Sequence, residues 1–187
     1  MVPMTRPPAP RLRHLIVAAS MIAVLALSVV PASAGGIPKG KVAIGDSVML
    51  GARQRLRSRG IRVDATVSRQ FGALPSVIKQ MRRAGRLPRN VIVHLGNNGY
   101  VEPAACRKAV RLAANRQVYL VTVKVPRVWR RANNKRLARC ARTYARVHLI
   151  DWYSRSKSHG SWFARDGYHL TRTGARRYAG ILSNQSR

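Results

Sequence analysis

Five short apolar runs, at 42–44, 61–63, 91–95, 118–125 and 147–150, are each followed by a stretch long enough for a helix. Short runs of this kind between turn signals read as buried strands. Strands that alternate with helices close through right-handed crossovers into a parallel sheet covered on both faces. The helix-length stretches are 48–59, 73–84, 103–114, 133–146 and 173–182, with Gly60 and Gly85 placed as stop signals. The pattern predicts a three-layer α/β/α sandwich around a five-stranded parallel sheet, with flavodoxin-like topology. In such sheets reactive groups gather beyond the carboxyl ends of the strands, near the point where strand order reverses. The sequence places Asp46 and Ser47 there after the first run, Ser68 and Arg69 after the second, and Gly96-Asn97-Asn98-Gly99 after the third.

The start of the chain is of another kind. Arg6, Arg11 and Arg13 precede an uncharged apolar run over 15–30, followed by Pro31-Ala32-Ser33-Ala34. A basic start, a short apolar stretch and small residues at Ala32 and Ala34 make a secretory signal peptide over 1–34, cleaved after Ala34. An uncleaved anchor is the alternative, although the run is shorter than the roughly 20 residues that span a bilayer. Residues 35–40 then form a linker and 41–187 a single domain, expected outside the cytoplasm, secreted or associated with the cell wall. An oxidising compartment makes a Cys106–Cys140 disulfide the expectation, with two separately buried thiols as the alternative. No CxxC or HxxxH spacing points to a metal, and no organic cofactor is implied.

Charge bounds the partners. The chain holds 36 Lys and Arg against 5 Asp and Glu, a net charge of +31, and such a surface attracts polyanions. An exported chain meets anionic wall polymers or lipid headgroups, so no specific nucleic-acid partner is expected. The basic residues are spread over every segment, however, so dispersed solvated charge stands as an equal reading beside a functional polyanion surface.

The acidic residues are only Asp46, Asp64, Glu102, Asp151 and Asp166. A serine hydroxyl becomes a nucleophile when a base takes its proton and a third group orients that base. Of the five histidines, His14 falls in the signal segment, His94 and His148 inside strands, and His159 and His169 in connecting segments. Asp166-Gly167-Tyr168-His169 lets one turn present a carboxylate to an imidazole, and Thr171 then caps the last helix. Gly45-Asp46-Ser47 closes a strand and opens a helix, where backbone amides favour an oxyanion. Taken alone, Ser47 reads equally as a helix cap. Gly96-Asn97-Asn98-Gly99 offers an asparagine amide to a tetrahedral intermediate, or is a plain Asn-rich turn. The three occur together, in order and each read as standing at a strand end, which favours chemistry.

On these motifs the chain resembles the SGNH (GDSL-like) hydrolases, with Gly45-Asp46-Ser47, Gly96-Asn97-Asn98 and Asp166-Gly167-Tyr168-His169 as their first, third and fifth blocks. The strings at 45–52, 67–70, 94–99 and 166–171 are similar to the extracellular domains of peptidoglycan O-acetyltransferases. The resemblance implies Ser47 as nucleophile, His169 as general base and acid, Asp166 as its orienting carboxylate, and Asn98 with the Ser47 amide as oxyanion donors. Ser68 stands where the hydrolases have a glycine and implies a third backbone donor, and Gly99 replaces an aspartate. Both departures favour the O-acetyltransferase-like branch. An acylated polysaccharide or other anionic wall polymer is the implied substrate, with a separate membrane protein as one source of the acyl group. Arg69, Arg127 and Trp129 are candidates for a substrate rim, Trp129 equally for ordinary packing. A carbohydrate esterase or lipase, and a basic wall-binding protein with a vestigial triad, are the rival readings.

Overall fold

The computed structural model describes residues 37–186 together with Met1. The signal peptide over 1–34, its cleavage after Ala34, His14 and the first linker residues lie outside the described residues. Five strands form one parallel sheet: β1 (Lys41–Gly45), β2 (Ile61–Ala65), β3 (Asn90–His94), β4 (Gln117–Val121) and β5 (Val147–Ile150), in the order β2-β1-β3-β4-β5. This is the flavodoxin-like arrangement expected. Among the described residues seven α-helices accompany them, the first five between strands and the last two after β5: α1 (Ser47–Gly51), α2 (Arg53–Arg57), α3 (Leu74–Arg83), α4 (Pro103–Ala113), α5 (Arg130–Thr143), α6 (Trp152–Ser156) and α7 (Arg172–Gln185).

Successive side chains of a strand point to opposite faces, and the strands sort their residues accordingly. Val42, Ile44, Val91, Val93, Val118 and Leu120 pack with Ile78 of α3, Ala109 of α4 and Leu137 of α5. Ala43, Ile92, Tyr119 and Val121 pack with Met49 of α1, Leu56 of α2 and Tyr178 and Leu182 of α7. Both faces are covered, which is why the strands read as nearly continuous apolar runs. The chain leaves β1 outward to β2, then returns across it to β3, so order reverses between β1 and β3. Gly45 is level with Ala65 on one side and His94 on the other. The loops after β1, β2 and β3 therefore emerge side by side.

Several boundaries differ from the sequence pattern, three of them for reasons visible in the hydrogen bonding. The helix expected over 48–59 is two, because Ala52 leaves helical geometry (φ −103°, ψ 5°) and its amide bonds back to the Met49 carbonyl at 3.0 Å. The fourth strand ends at Val121, not 125. The Asn134 side chain accepts from the Val123 amide at 2.8 Å and donates to the Val123 carbonyl at 3.0 Å, taking that residue's polar groups away from the sheet. α5 begins at Arg130, ahead of the expected 133, its first turn closed by the Asn133 amide on the Trp129 carbonyl at 2.8 Å.

Two covalent or steric ties fix the helices. Cys106 of α4 and Cys140 of α5 form a disulfide, as the oxidising-compartment reading anticipated. Thr171 caps α7, accepting from the Gly174 amide at 3.2 Å. A Cβ on Gly174 would lie 1.9 Å from the Trp162 carbonyl oxygen, so only glycine lets α7 pack this closely. Among the described residues no helix is long and apolar enough to cross a membrane.

Candidate active site

Ser47 is the first residue of α1, and the cap of that helix is Asp46, whose carboxylate accepts from the Val48 amide at 3.0 Å. The capping duty that would otherwise occupy a serine hydroxyl is thus met by its neighbour. The half-buried Ser47 hydroxyl lies 2.9 Å from His169 Nε2. His169 Nδ1 lies 2.6 Å from Asp166 Oδ2, and the other Asp166 oxygen accepts from the Tyr168 and His169 amides at 3.0 Å each. Three hydrogen bonds on one carboxylate outweigh its partial desolvation and hold Asp166 below the usual carboxylate range. A hydroxyl, an imidazole and a carboxylate in line can pass a proton from serine to histidine while the carboxylate fixes the tautomer.

The loop that carries this pair closes on itself. The Ala164 amide donates to the His169 carbonyl at 2.8 Å, the Gly167 amide to the Ala164 carbonyl at 2.9 Å, and Phe163 bridges Leu170. Lys124, just beyond β4, tethers it from outside: its ammonium donates to the Gly167 carbonyl and sits 3.9 Å from the centre of the Phe163 ring. Burial and the charge of Arg130 lower the Lys124 pKa, partly opposed by Asp166.

The other side of Ser47 is a buried polar network. Asn97 and Asn98 both donate to Asp46 Oδ2, at 3.0 and 3.1 Å. Asp46 is fully buried. Its carboxyl is pushed up by that burial, an effect the two amides, the Val48 amide and His169 partly offset. Asn133 of α5, also fully buried, holds the loop from behind. It donates to the Gly96 and Gly99 carbonyls at 2.9 and 2.8 Å and accepts from the Val101 amide at 2.9 Å. The sequence placed Asp46 at the strand end beside Ser47 without a role of its own, and Asn133 did not stand out as a site residue. The Asn133-Asn134 pair in an otherwise basic helix was the available signal, since buried amides are kept where they pair backbone groups.

The remaining candidates fall in different places. Ser68 follows β2 with φ +58°, a left-handed conformation in which a residue with a Cβ carries roughly 1–2 kcal/mol of strain. A glycine in that conformation would carry no such strain. Arg69 bonds within its own loop, to the Asp64 carboxylate at 2.7 Å and Thr66 Oγ1 at 2.9 Å. Arg127 is exposed, while Trp129 packs its ring 5.9 Å from that of Tyr100. His94 is buried behind the site with Nδ1 2.8 Å from the Tyr178 hydroxyl, and burial pushes its pKa down to about 3.

In three dimensions the chain superposes on the C-terminal catalytic domain of the peptidoglycan O-acetyltransferase OatA of Streptococcus pneumoniae. The TM-score is 0.69 at 23% identity, over 80% of this chain and 93% of that one. The chain has the SGNH hydrolase fold. A family 3 carbohydrate esterase from Clostridium thermocellum shares the SGNH architecture, with a TM-score of 0.59 at 13% identity over 78% of this chain and 94% of that one. In sequence the chain is 34% identical over 145 residues to the peptidoglycan O-acetyltransferase OatA of Listeria monocytogenes. It is 31% identical over 142 residues to the O-acetyltransferase OatA of Staphylococcus aureus. These matches cover 76% and 74% of this chain but 23% and 24% of those proteins, so the chain spans about a quarter of the length of these curated relatives. No family model matches the sequence. Within the SGNH fold, Ser47 opens α1 just after β1, Asn98 lies on the loop after β3 and His169 on the loop before α7.

Proposed function

We propose that the chain is an exported serine-dependent O-acyl, chiefly O-acetyl, transferase or esterase acting on cell-wall polysaccharide. The observation that carries this reading is the line from Ser47 Oγ through His169 to Asp166, with the serine hydroxyl released from capping by Asp46. His169 Nε2 takes the hydroxyl proton as Ser47 Oγ attacks the acyl carbonyl carbon. The oxyanion that forms is met by the Ser47 and Ser68 amides and by the second hydrogen of the Asn98 amide, whose first is fixed on Asp46. Collapse returns the proton from His169 to the departing alcohol and leaves acyl-Ser47. A sugar hydroxyl or water, deprotonated by the same imidazole, then takes the acyl group.

Similarity to O-acetyltransferases supports a sugar hydroxyl as acceptor, and the resemblance of the esterase neighbours supports water as a second one. The extracytoplasmic location follows on this reading from the signal segment over 1–34, and a separate membrane protein presents the acyl donor. The deciding experiment incubates the purified protein with an activated acetyl ester and a wall oligosaccharide. An acetyl mass is expected on the Ser47 peptide and on the sugar. Ser47→Ala should keep the circular dichroism spectrum and lose turnover, on the order of 10⁶-fold. Ester turnover by that variant at the original rate would overturn the assignment, and acetate without acetylated sugar would select the esterase.

A further inference from the structure

A cleft of about 770 Å³ runs between α4 and α5. The buried Val101 and Cys106–Cys140 disulfide lie at its base with Pro103 at its edge, and Arg107, Lys135, Arg139 and Arg142 stand exposed along its walls. No Asp or Glu lines it. Basic lining alone does not single it out. A second cleft, beside β2, carries Arg53, Arg57, Arg62 and Arg86 but also Asp64, and a third, at α7, carries Arg59, Arg155, Arg176 and Arg177.

Two features separate the first cleft from these. Its walls are bolted together at the floor by the disulfide, so a ligand meets a pre-formed channel and loses less on binding. Its inner end is also joined to the catalytic edge. Val101, three residues after Asn98, gives its amide to Asn133 and its carbonyl to Arg136 at 3.0 Å. The Arg136 guanidinium lies 5.5 Å from the Tyr100 ring, which is 49% exposed. An exposed aromatic face takes the apolar face of a sugar ring, and a guanidinium beside it takes a carboxylate.

We propose that this cleft holds an anionic stretch of the glycan whose neighbouring sugar is presented at Ser47. The proposal rests on the wall-polysaccharide reading above and adds where the polymer lies and that its charge is recognised. Each exposed ion pair contributes little by itself. A chain that neutralises several of these cations at once releases its counterions together, and its binding falls steeply with salt.

The test compares two variants of equal charge loss, R139Q/R142Q in the cleft and R176Q/R177Q at α7, by titrating the full chain with polygalacturonate, a linear carboxylated glycan, and with neutral dextran. The expected result is weaker polygalacturonate binding by R139Q/R142Q, on the order of tenfold at low salt, with R176Q/R177Q close to the unaltered chain. Dextran should bind far more weakly to all three. Equal losses in the two variants would mean that the charge acts collectively, and the cleft assignment would fall. Equal affinity for dextran and polygalacturonate would overturn it as well. Binding is read without turnover, so an absence of ester hydrolysis in every protein would count against the proposed activity and still leave the cleft decided.

Discussion

Asp166 and His169 meet within one short exposed loop, with side chains 41% and 37% exposed, whereas Asp46, Asn97 and Asn133 are buried and come from three separate parts of the chain. The first group is held by hydrogen bonds inside residues 163–170 and by one ammonium from outside. The second depends on β1, the loop after β3 and the start of α5 arriving together. A change in the exposed loop therefore reaches the chemistry with little effect on folding. A change in the buried network leaves polar groups without partners and lowers stability along with rate.

Asp166→Asn is the severest way to press that contrast. It should lower kcat on the order of 10⁴-fold by favouring the wrong imidazole tautomer, while the urea midpoint stays near that of the unaltered protein. A large fall in stability would show that the exposed loop is not energetically separate. Asn98→Ala comes next, with kcat expected to drop about 10²–10³-fold, as for one oxyanion donor. If KM rises and kcat holds, Asn98 serves binding and not the developing charge.

Asn133→Ala sharpens the comparison from the buried side. It strips partners from the Gly96 and Gly99 carbonyls and the Val101 amide, so a loss of about 2–3 kcal/mol in stability is expected. A rate loss of roughly tenfold should follow from the loosened Asn98 loop. Unchanged stability would mean that water replaces the amide and that the network is not the support described above.

The smallest effect on rate is expected at His94. Its folded-state pKa of about 3 lies below the value near 6.5 of an unfolded histidine, so the unfolded chain binds the proton first as pH falls. The stability linked to His94 is complete above about pH 6.5 and shrinks toward pH 3, by about 2 kcal/mol at pH 5. Asp46, raised by burial, acts in the opposite direction, so the measurement is a difference. Urea midpoints at pH 7.5 and pH 5 should fall more for the unaltered protein than for His94→Gln. Equal falls would contradict a buried neutral imidazole.

Much of this was legible in the chain. Strand positions, sheet topology and the Ser47, Asp166 and His169 positions follow from apolar periodicity and short motifs, because β-strand pairing and a four-residue turn are governed by local spacing. The choice between Ser47 as cap and Ser47 as free hydroxyl was not, since adjacent residues compete for one amide and only the backbone angles decide. Asp46 won that amide. The ion pair of Arg69 with Asp64, five residues earlier, was likewise not read from the sequence. Asn133 was read only as a helix start, because its partners lie more than thirty residues away.

The sequence by itself determined the layers, the strand order and the residues at the strand ends, for apolar alternation and crossover handedness leave few other packings. Only the tertiary structure decided which polar groups satisfy one another. Buried carboxylate and amides must find partners once water is gone, and those partners are set by how β1, β3 and α5 come together in space.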